Sequence, residues 1–497
     1  MSITTNKTPK PCWEAIELLT LVFLAAILRL WHINKADIGN DECFTLFYAQ
    51  FHLQDIISIL LRGDNPPLWE ILVHGWIIPM GTTALSIRVL STIFSILTVI
   101  PLYLIGEKFI RRYAGVLVSL LYAMSTLSIF LAHDGRVYSL IGFLSGWSLY
   151  LFLSLIHTPE KITLTGLTIV NIFIMYGHYL AIWLILMEFL IVLCIPAVRR
   201  KIGKLYIYHI SALTIAYLPI IPALYLRFLD SGLHGTWVSK NTSIENLYSM
   251  LCSFSNDAVP AVFSLVLIAA FFIKRIIHII KKEYIIDDLT YITAIWIFPL
   301  LISFGLSFIV GFFLNRYFYF LLPIYLTAVT AYIFYLFQDK KVLTLIVSLF
   351  FVLLWAGSVQ IDSTKLRYGG WKGDCQAAVI KMKSLKEQYD AAVIIAPEWM
   401  DKQLVYYLDD KHDIFKTQGR IPDEPSFEYF LQSHNFYFHY NFKQESLQEH
   451  PYIICFYLNW FDISEIENLM KNSGFQEIEC DKFQQIEVKL FHSEMIK

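Results

Sequence analysis

The chain has 497 residues, of which 56% are hydrophobic and only 16% are charged, and its mean hydropathy is +0.54. Water-soluble proteins carry about 25% charged residues, and a single core stops growing at about 250–300 residues. The surplus of apolar side chains must therefore face lipid, which excludes a soluble enzyme. The net charge of −2 gives no reason to expect a nucleic-acid partner.

Apolar segments of membrane-spanning length recur along residues 1–358. They predict a polytopic α-helical membrane domain of about eleven helices. We place these helices over approximately 14–31, 86–108, 113–132, 138–157, 161–177, 179–197, 204–227, 257–280, 288–310, 317–337 and 341–358. The first of them lacks a small-residue cleavage site and is interpreted as a retained anchor.

Lys and Arg are distributed unevenly between alternate connections. One set of connections is rich in them, as at 108–112, 199–204 and 274–282, whereas the opposite set carries isolated residues such as Arg88 and Arg136. Cytoplasmic loops carry the basic excess. We therefore expect a cytoplasmic N-terminus in the cell inner (plasma) membrane, and an odd number of spans then places the C-terminal region outside.

Two regions differ from the membrane helices. The first outer loop, 32–85, contains an amphipathic stretch at 42–61 and an apolar run at 66–80 that is too short to span, which indicates helices lying in the interface. In 359–497, strand-like and helical runs alternate, which predicts a small extracytoplasmic α/β domain. The sequence contains no G-x-G-x-x-G and no P-loop motif, so no nucleotide cofactor is expected.

The seven cysteines include no C-x-x-C pair, so a structural zinc site is not expected. Cys455 and Cys480 both lie in the C-terminal region. If that region is extracytoplasmic, a disulfide between them is an option that spacing alone does not decide.

The first outer loop carries an acidic pair, Asp41-Glu42, shortly after the first helix. Carboxylates at a membrane interface can act as a general base or hold a divalent cation. The alternative is an exposed acidic pair that starts an interfacial helix, where negative charge is favourable.

Two further polar residues follow in the same loop. Asn65 precedes Pro66-Pro67, which favour an extended segment and then a helix start, so Asn65 is either a helix cap or a substrate contact. His74 lies on the apolar helix after the prolines. It is either a packed, hydrogen-bonded histidine or a part of the site.

Three arginines stand on the side of the membrane that is poor in basic residues: Arg88, Arg136 and Arg316. A guanidinium binds phosphate through two hydrogen bonds, so a lipid phosphate is a candidate ligand. The alternatives are structural ion pairs, Arg136 with Asp134 or with Asp41, and contact with lipid headgroups.

Several short motifs then resemble one family in the same order. They are Asp41-Glu42, the Asn65-Pro66-Pro67-Leu68 segment with His74, Ser86-Ile87-Arg88-Val89-Leu90, Asp134-x-Arg136-x-Tyr138-Ser139-Leu140, Gly177-His178-Tyr179 and Asn315-Arg316-Tyr317. Together they resemble bacterial family 39-type glycosyltransferases of the C-type membrane superfamily. Protein O-mannosyltransferases and the lipid A aminoarabinose transferase are relatives in that group.

The resemblance implies a polyprenyl-phosphate sugar donor, an outward-facing site and a carboxylate in the first outer loop. Carried over, Asp41 is the base or a carboxylate that orients the acceptor, Glu42 is its neighbour in the site, and Arg136 and Arg316 hold the donor phosphate. The resemblance also places residues in the substrate cavity, namely Tyr138, His178, Tyr179 and Tyr317. Asp134 stands where family members often have Glu, so its role carries over less directly.

The function expected from these features is transfer of a hexose or pentose to a lipid, glycan or protein acceptor, with inversion. The alternative from another class is a lipid-linked saccharide transporter or flippase. Such a transporter needs a polar path across the bilayer, whereas the charges here gather at one face. An oligosaccharide ligase or polymerase would share the lipid donor. The C-terminal domain is expected, by analogy, to recognise the acceptor or cover the site.

Overall fold

The computed structural model describes residues 12–62, 65–234, 238, 242–283, 286–362, 374–408, 424–442, 447 and 449–494. Helices dominate the described residues up to 358, and a five-stranded sheet lies in the C-terminal part. This arrangement confirms the predicted class, a polytopic α-helical protein with a small α/β region at its C-terminal end.

The helices up to residue 358 follow one another with short connections. They are α1 (Cys12–Leu30), α2 (Asn40–Tyr48), α3 (Leu53–Arg62), α4 (Leu68–Met80), α5 (Ala84–Leu97), α6 (Val99–Ile105), α7 (Ala114–Ala123), α8 (Thr126–Ala132), α9 (Tyr138–His157), α10 (Lys161–Gly177), α11 (Ile182–Cys194), α12 (Pro196–Tyr217), α13 (Ile221–His234), α14 (Ile244–Phe254), α15 (Ala258–Ile280), α16 (Asp288–Leu306), α17 (Leu322–Leu336) and α18 (Lys341–Ser358). Short 3-10 turns at Tyr179–Ala181 and Asn315–Leu321 precede α11 and α17.

Among the described residues, seven helices are long and apolar enough to cross a membrane. The bent pair α7–α8, with 57° between its halves, makes an eighth if it is one span. The prediction of about eleven spans is higher for identifiable reasons. The helices Lys161–Gly177 and Tyr179–Cys194 are shorter than 18 residues, and α1 contains three charged residues.

One of those charges explains how the bend between α7 and α8 is tolerated. Arg29 of α1 is fully buried, and its guanidinium donates to the carbonyls of Tyr122 and Ala123 at 3.1 and 3.0 Å. These carbonyls lie where α7 ends. A bend leaves such groups without helical partners, so Arg29 replaces the missing hydrogen bonds inside the bundle.

The segment predicted as the first outer loop, 32–85, contains short helices. The helix α4 has 13 residues, which is about 20 Å at 1.5 Å per residue and less than a bilayer core of about 30 Å. Trp69 and Val73 of this helix are buried, and Trp69 donates its indole N–H to the carbonyl of Gly135 at 2.9 Å. This contact ties the loop to the turn between α8 and α9.

The C-terminal α/β domain is built on a mixed sheet. Its elements are α19 (Cys375–Tyr389), β1 (Ala392–Ala396), α20 (Asp401–Leu408), α21 (Glu424–Ser433), β2 (Phe436–Phe438), β3 (Tyr452–Leu458), α22 (Ser464–Asn472), β4 (Gln476–Phe483) and β5 (Ile486–His492). The strand order is β2-β1-β3-β5-β4, in which β2, β1 and β3 run parallel and β5 and β4 are antiparallel to their neighbours.

The sheet register shows that Cys455 and Cys480 are too far apart to form a disulfide. Cys455 on β3 and Cys480 on β4 both lie opposite Lys489 of the intervening strand β5. They are therefore two strand spacings apart, about 10 Å, whereas disulfide-bonded Cα atoms lie within about 7 Å. Both thiols are free.

The C-terminal domain packs directly on α2 of the first outer loop. Phe47 and Tyr48 belong to the same hydrophobic core as Val405 and Phe427 of the domain. The ammonium group of Lys402 lies 5.2 Å from the ring of Phe47 and 5.9 Å from that of Tyr48. The helix that begins with the predicted catalytic acid is thus part of the interface between the two regions.

Candidate active site

Asp41 and Arg316 meet at the start of α2. The carboxylate of Asp41 is 2.9 Å from the Nη1 atom of Arg316, and their side chains are 43% and 23% exposed. Arg316 comes from the 3-10 turn before α17, far along the chain. A partly exposed ion pair of this kind can exchange one partner for an incoming anion.

Arg136 approaches Asp41 from the turn between α8 and α9. Its Nη1 atom donates to the backbone carbonyl of Asp41 at 3.0 Å and to the hydroxyl of Thr45 at 2.5 Å. Its Nε atom is buried and has no hydrogen-bond partner among the described residues. Burial alone would lower the pKa of Arg136, but neighbouring carboxylates, Asp41 first among them, raise it, so the guanidinium stays charged.

Glu70 of α4 completes this group, although the sequence analysis did not select it. Its carboxylate lies 3.6 Å from Nη1 of Arg136 and accepts a hydrogen bond from Thr45 at 3.1 Å. Glu70 is 1% exposed, and this burial raises its pKa above the ordinary value. One feature of the sequence could have identified Glu70. It is an acid in the first turn of an otherwise apolar helix, and that helix begins directly after Pro66-Pro67.

Glu42 and Arg88 form a second, fully buried ion pair. Nε and Nη2 of Arg88 each lie 2.8 Å from a different oxygen of Glu42, and both side chains are at most 1% exposed. Glu42 also accepts the backbone N–H groups of Gly39 and Gly135 at 2.7 and 3.0 Å. The remaining donors of Arg88 go to backbone carbonyls, including those of residues 36 and 37.

Two predicted site residues meet in this pair. Both oxygens of Glu42 accept hydrogen bonds from Arg88 and from backbone N–H groups. The guanidinium of Arg88 is likewise surrounded by protein acceptors. A catalytic role for Glu42 and phosphate binding by Arg88 stay predictions. The described residues also contain no group of three or more His, Cys, Asp or Glu side chains placed to hold a metal ion. A cation shared by Asp41 and Glu42 stays a prediction.

A small pocket adjoins the ion pair of Asp41 and Arg316. It encloses about 140 Å³ including its open side, and Tyr138, His178, Arg316 and Tyr317 are among its walls. The ring of His178 lies 6.0 Å from that of Tyr138 and 5.8 Å from that of Tyr317. Ligand pockets usually measure about 300–1,000 Å³, so this space is small for a ligand.

His178 is held neutral at this pocket. Burial lowers its pKa to about 4, and the charge of Arg136 acts in the same direction. Its Nδ1 atom is buried and has no hydrogen-bond partner among the described residues. The turn also requires the preceding Gly177, because a Cβ atom there would lie 2.5 Å from the side chain of Ile141. A neutral imidazole with an unused nitrogen is suited to a substrate hydroxyl.

Asp134 lies between the arginines instead of facing the pocket. It is 6% exposed and interacts electrostatically with Arg88, Arg136 and Arg316. A single carboxylate that faces several guanidinium groups reduces their mutual repulsion. This makes Asp134 a residue that holds the cations together.

Three other predicted residues are not among the described residues that line this pocket. His74 makes a 2.8 Å hydrogen bond with the carbonyl of Ala49, which fixes α4 against the end of α2. Asn65 is half-buried just before α4 and is not among the described residues that line the pocket. Tyr179 is half-buried in the 3-10 turn after His178.

The C-terminal domain holds the segment that leads into Asp41. The N–H of Ile38 donates to the hydroxyl of Tyr407 at 2.9 Å, and its carbonyl accepts from the side chain of Gln403 at 2.7 Å. The carboxylate of Asp37 accepts the N–H of Gln376, the second residue of α19, at 2.9 Å. Burial raises the pKa of Asp37. We call residues 36–39 the strap.

The chain is similar over most of its length to solved structures of ArnT and AglB. ArnT from Cupriavidus metallidurans in the apo state aligns with a TM-score of 0.58 at 9% sequence identity, over 96% of this chain and 97% of that one. ArnT bound to undecaprenyl phosphate aligns with the same score at 10% identity, over 96% and 98%. The archaeal oligosaccharyltransferase AglB from Archaeoglobus fulgidus aligns with a score of 0.53 at 12% identity, over 89% and 69%.

At the level of sequence, no protein-family model matches the chain and no curated protein matches it. The structural likeness nevertheless covers nearly the full length, including the membrane helices and the region after them. The chain therefore shares the fold of ArnT and AglB.

Proposed function

We propose that this protein is an inverting glycosyltransferase that moves a sugar from a polyprenyl-phosphate donor to a hydroxyl group on the extracytoplasmic side of the membrane. One observation carries the proposal. The Asp41 carboxylate is paired with Arg316 at 2.9 Å, while Arg136 binds the backbone of the same aspartate beside the pocket. A proton acceptor and two phosphate-binding cations thus occupy one site.

The ion pair of Asp41 and Arg316 suggests how binding of the sugar donor frees Asp41 to act as a base. A donor phosphate competes with Asp41 for Arg316, and the unused Nε of Arg136 offers a second donor. Asp41 is then released to accept the proton of the acceptor hydroxyl. The hydroxyl oxygen forms a bond to the anomeric carbon from the face opposite the phosphate, the bond from that carbon to the phosphate oxygen breaks, and the configuration inverts.

The arginines supply the electrostatic part of catalysis. Negative charge grows on the leaving phosphate, and preorganised cations that face such charge are among the largest contributions to enzymatic rates. The neutral His178 and the rings of Tyr138 and Tyr317 then surround the sugar. The solved complexes of ArnT with undecaprenyl phosphate, and of AglB with dolichol-phosphate and an inhibitory peptide, support a lipid-phosphate donor.

The test is a transfer assay with the full chain in lipid vesicles. Radiolabelled polyprenyl-phosphate hexose or pentose is supplied with lipid, glycan and protein acceptors. We expect Asp41→Asn to lower the rate by about 100-fold or more, the usual effect of removing a general base. Asp55→Asn, an exposed aspartate of the same loop, is the matched control and should keep the wild-type rate.

Two outcomes would contradict the proposal. Full activity in Asp41→Asn would remove Asp41 from the chemistry. Movement of the labelled donor across the vesicle membrane by the wild-type protein, with no product in any acceptor, would favour a flippase.

A further inference from the structure

The C-terminal domain gathers aromatic residues at one edge of its sheet. Strands β2, β1 and β3 are neighbours and run parallel, so their carboxyl ends meet at the same edge. Each strand is followed directly by aromatic residues at that edge: Trp399 after β1, His439 and Tyr440 after β2, and Trp460 and Phe461 after β3. We call these five residues the aromatic edge. The carboxyl end of parallel strands is where α/β sheets bind ligands.

The rings of the aromatic edge are arranged as a platform. Trp399 and Trp460 have ring centroids 6.5 Å apart with 29° between their planes. The ring of His439 lies 5.0 Å from that of Phe461. Trp460 and Tyr440 are each 57% exposed. Large rings that stay exposed together mark a binding surface, since scattered single residues are the norm elsewhere.

Polar groups of a specific kind border the platform. The Glu398 carboxylate is half-exposed and lies 3.9 Å from Nδ1 of His439, an atom that is buried and has no hydrogen-bond partner among the described residues. Asp462 is exposed at the other side. A carboxylate and an imidazole accept or donate hydrogen bonds to hydroxyl groups, while flat rings pack on the apolar face of a sugar.

Charge and size separate the candidate ligands. The segments 397–399, 439–442 and 459–462 contain acids but no Lys or Arg. Membrane-binding aromatic surfaces instead combine rings with basic residues, because lipid surfaces are anionic. A stable protein interface buries about 800 Å² per partner, which is more than five side chains offer. An uncharged saccharide fits both the acidic border and the small area.

We propose that the aromatic edge is a saccharide-binding site and that it holds the sugar part of the acceptor; the second half of this statement rests on the proposed transferase function. Two of its rings, Trp399 and Phe461, pack against the hydrophobic core that includes Phe47 of α2. Trp399 leads directly into α20, whose Lys402 contacts Phe47 of α2, the helix that begins beside Asp41.

The binding test uses the full chain in nanodiscs, with 5-fluorotryptophan in place of tryptophan. Methyl glycosides of glucose, galactose, mannose and N-acetylglucosamine are titrated to on the order of 10 mM. We expect saturable shifts of the ¹⁹F resonances of Trp399 and Trp460, assigned with Trp→Phe variants. Trp460→Ala and Glu398→Ala should weaken binding by about tenfold or more. Trp31→Ala removes a tryptophan that is 59% exposed in the membrane domain and should change nothing.

Either of two results would overturn the binding site. In the first, the resonances stay in place with every glycoside. In the second, they respond to a change from zwitterionic to anionic lipid and not to saccharides, which would identify a membrane contact.

A second set of measurements tests the saccharide site and the proposed transferase activity independently of each other. Asp41→Asn should lose transfer and keep saccharide binding. Trp460→Ala should raise the KM for a saccharide acceptor about tenfold and keep kcat, because the chemistry at Asp41 is intact. An unchanged KM would overturn the acceptor assignment. Saccharide binding in a protein that transfers nothing would refute the proposed function and leave the binding site standing.

Discussion

At the scale of single residues, two adjacent acids on one helix have different roles. Asp41 is partly exposed and paired with Arg316, whereas Glu42 is buried and saturated by Arg88 and two backbone amides. Removing one member of a buried pair leaves the other charge uncompensated, at a cost of about 3–5 kcal/mol. We therefore expect Glu42→Gln to lower the unfolding temperature of the detergent-purified protein strongly.

The control for that prediction is Lys35→Ala. It breaks a partly exposed pair with Asp362, whose atoms are 2.6 Å apart, and exposed pairs contribute at most about 1 kcal/mol. Thermal unfolding followed by size-exclusion chromatography measures both variants. If Glu42→Gln is as stable as Lys35→Ala, the buried pair of Glu42 and Arg88 does not stabilise the protein.

The second prediction at this scale concerns His178. Its folded pKa of about 4 lies below the ordinary value of 6.5, so between these two values the unfolded chain binds a proton that the folded site excludes. Folding stability must then fall as the pH falls from 6.5 towards 4. We expect the unfolding temperature of wild type to drop more over this range than that of His178→Gln. Parallel pH dependences for the two proteins would contradict the burial of a neutral imidazole.

At the scale of elements, α20 contacts the strap that leads into the candidate active site. Tyr407 and Gln403 hold both polar groups of the Ile38 peptide, and Arg88 holds the carbonyls just before it. We expect Tyr407→Phe and Gln403→Leu to lower kcat of the proposed transfer about tenfold, because displacement by about 1 Å is costly to catalysis.

The matched control for the strap is Tyr429→Phe on the same domain, a tyrosine that is 74% exposed. Transfer kinetics with varied donor separate kcat from the donor KM, and the donor KM should stay near wild type because Arg136 and Arg316 are untouched. Wild-type kcat in Tyr407→Phe would show that the strap does not position Asp41.

The sequence predicted the positions of the helices better than the contacts between residues that are distant in the chain. Hydropathy located α9, Ala258–Ile280 and Lys341–Ser358 nearly to the residue, because lipid contact selects long apolar runs. It did not show that Glu70 reaches Arg136 or that Tyr407 reaches Ile38. These contacts join residues tens to hundreds of positions apart, and no local pattern records such distances. The same limit applies to Arg88, whose buried contact with Glu42 no local pattern shows.

At the scale of the whole molecule, the orientation in the membrane stays a prediction from the basic residues. Cys480 lies in the C-terminal domain and Cys194 at the end of α11 that is predicted to be cytoplasmic. We expect a variant that retains only Cys480 to react with a membrane-impermeant maleimide in right-side-out vesicles, and one that retains only Cys194 to react after permeabilisation. Burial raises the pKa of Cys480, so labelling is best done at alkaline pH. The reverse pattern would invert the topology.

The strap has a consequence for exchanging parts between related proteins. Its peptide groups are shared between Arg88 on one side and α20 on the other, so the seam between the two halves of the molecule runs through the backbone that precedes Asp41. A chimera that joins this C-terminal domain to the membrane domain of another protein with this fold would inherit a mismatched seam. Grafting residues 36–51 together with the C-terminal domain keeps the seam intact, which makes this stretch of chain a unit of exchange.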